Sequence, residues 1–457
     1  MVRIFLFYQK MGIKGLWELV NKKYTHLNKQ VPQSSFRGLR IAFDANSWFF
    51  VLRSALRSGE IRRTNVLDEG VDEQKVDRLW INEITRRLIK LIGLGITPIL
   101  VYDGPSPVQK TGTKLKRTSA KDKTLAEIEE LNEEIRQADI MHAGSSADIL
   151  RLNKEYLARM QGLMCKLNYI PADSMNLART FFQGAGIPTL LADGDGERLA
   201  STLCREGIAA AVYSADGDCL AHGAPLIIRD IGADIYDQNG YGQSTFEVVF
   251  LRELLEAIDL NDSQFVDLCI MSGCDYNVNM PNIGIGKSIP LIKKFGNIDG
   301  LPLDKYDIAC LDHHEGRQLF ARVPSAGLIL DGTKLEMHVP EDNIWEHFMQ
   351  YGMDGYVENY KKMISTLPPP RIFQHQVKVS DFGFDGFAME EITGDVLAGV
   401  KILEVRNVTA RKTRGAARGR GRRGRAVTRD VGPSQSDATL DAILPIFEEM
   451  TFDIAFG

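Results

Sequence analysis

Two aspartates one residue apart, Asp216 and Asp218, close the stretch "GIAAAVYSADGD". Side chains two apart on a strand share a face, so the pair is expected to point one way. Like charges so placed repel, and burying them unpaired costs free energy. A solvated Asp-Gly turn is one reading; a cation held between the carboxylates is the other. Three more apolar runs end in acid: "LRIAFDAN" in Asp44, "GITPILVYDG" in Asp103, and "GIPTLLADGDGE" in Asp195 and Glu197. Asp275 ends a later apolar segment, "DSQFVDLCIMSGCDY". Open α/β sheets bind ligands at the carboxyl ends of their strands, so acids gathered on one edge outweigh the turn reading. Only hard divalent ions neutralise so many oxygens, and no His or Cys joins the set, which favours Mg²⁺ or Mn²⁺ over Zn²⁺. An EF-hand is excluded, because "DGDGERLA" lacks the sixth-position glycine and Cys204 stands where its glutamate belongs. Two such ions cleave phosphodiesters by making hydroxide at one and stabilising the leaving oxygen with both.

The elements that must position these acids follow from periodicity. Over the first 220 residues, β-rich runs alternate with helical stretches, which predicts an α/β fold around a mostly parallel central sheet flanked by helices. A long insert, about 105–180, interrupts the alternation. It opens with Lys110, Lys114, Lys116, Arg117, Lys121 and Lys123 against the single acid Asp122. That cluster is either a solvated helix face or a phosphate contact, and its place just after Asp103 tilts it to the second. The spacing of "LAEIEELNEEI" and "ADILRLNKEYLARMQGLMCKL" predicts two helices. Beyond 245 the pattern is mainly helical. The loop "NIGIGKS", with Gly284, Gly286 and Lys287, exposes backbone amides ahead of a helix expected to start near Ser288, and such a turn can hold a phosphate. It is not a Walker motif. Residues 301–404 are mixed, and "TLPPPRIF" reads as an extended linker.

The totals set bounds. A chain of 457 residues, 44% hydrophobic and 25% charged, can hold two or three globular domains. Six scattered cysteines without a CxxC pair argue against a zinc site or a disulfide framework and fit a reducing compartment. No apolar run is long enough for a membrane span, and the opening "MVRIFLFYQK" is too short for a secretory signal. Residues 406–429 carry ten Lys or Arg and no acid, so removing them from the net −5 leaves a body of −15. That Arg/Gly tail is expected to be disordered and to act in nuclear import or in non-specific nucleic-acid binding. The closing "TLDAILPIFEEMTFDIAFG" reads as a docking peptide without a sliding-clamp motif.

The chain resembles the flap endonucleases, the XPG-type structure-specific 5′ nucleases. The resemblance rests on "MGIKGLWELV" from Met11, "GDGERLA…YSADGDCLAHG", "FVDLCIMSGCDY" and "IGIGKSIPLIKKFG", in order over roughly 11–300. It implies a PIN-like nuclease core at 11–104 and 181–300, a helical arch at 105–180 and a helix–two-turn–helix at about 275–300. Residues 1–10 then form an extension, 301–404 a C-terminal region, 405–438 the basic tail and 439–457 the docking peptide. It further implies two Mg²⁺ ions, with Mn²⁺ as a substitute, on Asp44, Asp103, Asp195, Glu197, Asp216, Asp218 and Asp275. Lys110 and Arg117 match residues that reach the scissile phosphate. Phe50 matches an aromatic that stacks on a base, core packing being its alternative. Arg57 matches a basic residue of the downstream-DNA site, and the helix–two-turn–helix one that grips duplex through K⁺.

Three departures stand out. Asp195 replaces the usual glutamate and reaches one methylene less far. Gly12, matching a glycine beside the active site, follows ten extra residues, so either Met11 is the start or the extension finds room near DNA. The middle of the arch is acidic. The implied activity is cleavage of branched or flapped DNA at single-strand/duplex junctions in replication or repair, in the nucleus or a viral replication site. RNA cleavage on the same scaffold and an inactive nucleic-acid scaffold are the alternatives.

Overall fold

The computed structural model describes residues 12–107, 110–141, 146–231, 235–236, 242–325, 335–338, 340 and 343–366. The extension 1–10, the part of 301–404 beyond 366, the basic tail and the docking peptide lie outside these residues. The chain divides into one unit through Leu403 and a second, Glu404–Gly457, wholly outside them.

A seven-stranded sheet of order β1-β9-β6-β5-β2-β3-β4 organises the described chain. Its strands are β1 (Lys29–Pro32), β2 (Arg40–Asp44), β3 (Thr97–Tyr102), β4 (Thr189–Leu191), β5 (Ala211–Tyr213), β6 (Leu226–Ile231) and β9 (Thr245–Phe250), while β7 (Ile235–Tyr236) and β8 (Gly242–Gln243) pair apart. β6, β5, β2, β3 and β4 run parallel, as the alternation predicts. β9 and β1 add an antiparallel edge. In the parallel part Phe43 lies opposite Tyr213, Asp44 opposite Val101 and Tyr102 opposite Leu191, so the carboxyl ends stand level.

Helices cover both faces. On one lie α2 (Ala45–Arg63), α3 (Glu73–Gly93) and α6 (Ala172–Gly184), where Phe49 meets Trp80, Tyr102 and Phe182 at 5.5–5.8 Å between ring centroids. α3 shows why the sequence is helical there: Asp72 caps it by accepting from Lys75 N at 2.9 Å, and Val76, Trp80, Ile84 and Leu88 recur on its buried face. The other face is packed by α1 (Leu16–Lys23), α7 (Gly196–Arg205), the short α8 (Asp218–Ala221), α9 (Leu251–Ile258), α10 (Asp262–Ser272) and α11 (Ile285–Phe295), with Leu16, Leu199, Leu254, Leu268 and Ile292 in one core. α12 (His313–Leu319), α13 (Ile344–Gln350) and α14 (Val357–Thr366) follow, and Tyr360 Oη donates to Ala185 O at 2.8 Å.

The insert is two helices, α4 (Thr111–Met141) and α5 (Ser146–Met164). The basic cluster and the acidic run belong to one helix, not to a basic segment followed by a helix. Two acids of its middle pair across to the return limb: Glu134 with Arg159 of α5 at 2.7 Å and Glu127 with Lys166, just past α5, at 3.7 Å.

Candidate active site

Most of the acids are delivered by a strand end or the turn after it; Glu197 and Asp275 come from a helix's first turn and from the turn after a helix. Asp44 is the last residue of β2 and the cap of α2, accepting from Ser47 N at 3.1 Å and from Ser214 Oγ at 2.9 Å. Asp103 follows β3, and its Oδ1 accepts from Gly196 N at 2.7 Å. Asp195 precedes α7, and Glu197 lies in that helix's first turn. The alternation argument for Asp216 and Asp218 is corrected here. β5 stops at Tyr213, and the two acids share a face through a turn, in which Asp216 N donates to Ser214 Oγ at 3.0 Å and Asp218 N to Asp216 Oδ1 at 2.9 Å. Asp275 sits in the turn after α10.

Glu197, Asp216 and Asp218 place one carboxylate oxygen each within 4.8 Å of the others. Asp218 is 1% exposed, and neither of its oxygens has a hydrogen-bond partner. Burial pushes the Asp216 and Asp218 carboxyls well above the usual range, and the charge of Glu197 adds to it. Asp44 is pushed up to about 8 by burial, then by Glu197 and Asp103. Glu197 rises to about 7, burial leading and Lys110 opposing. Buried carboxylates with orphaned oxygens cost several kcal/mol unless a cation joins them. Oxygen-only donors fit Mg²⁺ or Mn²⁺, so these residues suit the divalent ions the sequence implies.

Two basic residues of the arch reach the acids. Lys110 Nζ lies 2.9 Å from Asp195 Oδ1 and 3.0 Å from Glu197 Oε1. Burial alone would lower its pKa, but Glu197 and Asp195 hold it above the ordinary lysine value. Arg117, exposed, pairs with Asp275 Oδ2 at 2.8 Å, and Thr113 Oγ1 donates to the Asp275 carbonyl at 2.8 Å. Sequence reasoning missed Tyr276, whose hydroxyl donates to Asp195 Oδ2 at 2.7 Å and whose ring lies 5.1 Å from Lys110 Nζ. Its signal was its place beside Asp275.

Gly12 has φ 69°, and a Cβ there would lie 1.8 Å from Asp216 Oδ1, so its backbone rests on the acid cluster. Phe50 is half-buried and packs against Val51 and Ala215, beside the Asp216 turn. Arg57 already has protein partners. It is buried, its Nε donating to Glu73 at 2.7 Å and its Nη1 to the carbonyls of Met164 and Leu167 at 3.1 and 3.2 Å.

The helix after the glycine loop begins at Ile285 with Gly284 as its cap, three residues before the expected Ser288. Glycine at position 12 carries a left-handed backbone. At Gly284 and Gly286 a Cβ would meet nothing within 4 Å, and Gly284 has φ −106°. The fold itself therefore does not demand glycine there. Both border a cavity of about 400 Å³ lined also by Lys14, Ser272, Asn279 and Lys287, the last donating to Asn282 O at 2.9 Å.

Comparison with known proteins bears on this geometry. Residues 11–124 match the XPG N-terminal domain and 186–275 the XPG I-region. Flap endonuclease 1 of Cryptosporidium parvum (strain Iowa II) is 28% identical over 299 residues, covering 64% of this chain and 56% of that protein. Flap endonuclease 1 of Micromonas commoda is 25% identical over 379 residues, covering 81% of this chain and 90% of that protein. The chain thus spans little more than half the length of some curated relatives it matches. The solved flap endonuclease-1 from Methanococcus jannaschii aligns with TM-score 0.49 and 19% identity, over 76% of this chain and 99% of that one.

Proposed function

We propose, for a chain that belongs to the flap endonuclease and XPG-type nuclease family, that it is a structure-specific 5′ nuclease hydrolysing DNA at single-strand/duplex junctions. The observation that carries this reading is Asp218, fully buried with both oxygens unpartnered beside Glu197 and Asp216. Glu197, Asp216 and Asp218 would hold Mg²⁺ or Mn²⁺, with Asp44, Asp103, Asp195 and Asp275 completing the ring for a second ion. Such ions, when bound, lower the pKa of water and offset the charge of a phosphodiester.

This chain's own residues then position and steady the substrate. Lys110 and Arg117 stand between the arch and the acids, where their charges can pair with the oxygens of the scissile phosphate as negative charge develops. Tyr276 fixes the short side chain of Asp195 and offers its ring to the Lys110 ammonium. Phe50, half-exposed beside the Asp216 turn, offers a face for an unpaired base. Gly284 and Gly286 leave room for a duplex phosphate or a K⁺ ion to approach the backbone. Recognition through shape and backbone, not base identity, follows from this set. By the same reading the protein works in replication or repair, in the nucleus or at a viral replication site.

The test is a labelled 5′-flap DNA duplex incubated with the full chain and Mg²⁺, beside Asp218→Asn and an all-RNA flap. Cutting near the DNA junction, absent from the variant, is expected. Binding without cutting by the wild type would leave a scaffold, and cutting of the RNA flap alone would overturn the substrate assignment.

A further inference from the structure

We propose a second metal site, for a Zn²⁺-type transition-metal ion, formed by Asp299, His313 and His314 on the side of the helix–two-turn–helix. One ligand atom from each lies within 4.8 Å of the others. His313 Nε2 is 2.8 Å and His314 Nε2 3.9 Å from Asp299 Oδ1. At bond lengths of about 2.0–2.1 Å, two ligands of one Zn²⁺ stand about 3.3 Å apart in a tetrahedron and at most about 4.2 Å. The two spacings bracket the tetrahedral value, and a small turn of the exposed His314 ring closes the set.

Consecutive helical residues project about 100° apart. Here the two imidazoles instead lie 4.1 Å apart at 35°, both addressing one carboxylate. Two imidazoles and a carboxylate suit Zn²⁺, Ni²⁺ or Cu²⁺, unlike the all-oxygen catalytic edge.

A second observation is the support behind Asp299. Its other oxygen accepts from Arg317 Nη1 at 2.7 Å, and Arg317 is clasped by both oxygens of Asp267 at 2.6 Å. Asp267 is buried at 2% exposure and accepts from Ile298 N at 3.0 Å. Carboxylate ligands whose second oxygen is fixed by an outer hydrogen bond are the pattern of built metal sites. An ion here ties the start of α12 to the segment leaving α11 and, through Asp267, to α10. It braces the element proposed above to grip duplex, at a site separate from cleavage.

Zn²⁺ titrated into the full chain against a chromophoric chelator, with excess Mg²⁺ on the catalytic acids, tests the site. Wild type and Asp218→Asn are expected to take up one Zn²⁺ with equal affinity, and Zn²⁺ to raise the Tm. His314→Ala, at an exposed position, should weaken uptake at least about tenfold and abolish the Tm rise. Unaltered uptake by His314→Ala would put the ion on cysteines or catalytic acids and overturn the proposal. So would no uptake by the wild type.

Discussion

Two regions of this molecule bury charge, and they do it in opposite ways. Between α2, α3 and the segment after α5, Arg53 is 1% exposed, yet it donates to Asp77 at 2.8 Å, to Glu73 at 2.8 Å and to the Tyr169 carbonyl at 3.1 Å. Arg57 shares Glu73, and Ser174 Oγ donates to the second Asp77 oxygen at 2.6 Å. At the carboxyl edge of the sheet, by contrast, like charges crowd together and the Asp218 oxygens go unclaimed. A buried charge with every partner present serves the scaffold, here by fastening the arch's return limb to the body. A buried charge without one marks where a ligand supplies the missing bond.

Asp218→Asn should break the comparison most sharply. Flap cleavage is expected to fall below detection, while the Tm measured in EDTA rises because one repelling charge is gone; a lower Tm would mean that the acids already hold one another satisfactorily. Arg53→Met should do the reverse. It leaves the partly buried Asp77 without its counter-charge while Glu73 keeps Arg57, costing about 1–3 kcal/mol in a denaturant titration. A change below about 1 kcal/mol would show that the network adds little.

Proton linkage separates the regions next. The carboxyls of Asp44 and Glu197 titrate higher folded than their ordinary values of 3.8 and 4.5, so over that range the folded state holds more protons than the unfolded. Stability in EDTA therefore falls as pH rises from about 4 to about 8, and Mg²⁺ should flatten the fall. A Tm in EDTA that climbs over this window would refute the assignment. The smallest effect is expected from Tyr276→Phe, which removes one hydrogen bond to the Asp195 carboxylate. A roughly tenfold loss in cleavage rate with stability nearly kept fits a positioning role, whereas an unchanged rate would leave Tyr276 as packing.

Much of this arrangement could be read from the chain, because four apolar runs ended in acid and parallel strands align their carboxyl ends. What escaped the reading depended on distant partners. Arg57 meets Glu73 and two carbonyls more than a hundred residues away, contacts no local pattern announces. Tyr276 acquires its role only through Asp195, 81 residues earlier. Asp216 and Asp218 were correctly paired for a wrong local reason, since a turn and not a strand joins them. The antiparallel edge was invisible because β1 and β9 are far apart in sequence and lack acids at a common end.

Counting Mn²⁺ bound at the catalytic edge by electron paramagnetic resonance, on wild type and Asp218→Asn with Zn²⁺ present to fill imidazole sites, tests the central claim most directly. Two tightly held ions are expected on the wild type and at least one fewer on the variant. Equal counts on both chains would mean that the orphaned carboxylate is not where the ions go.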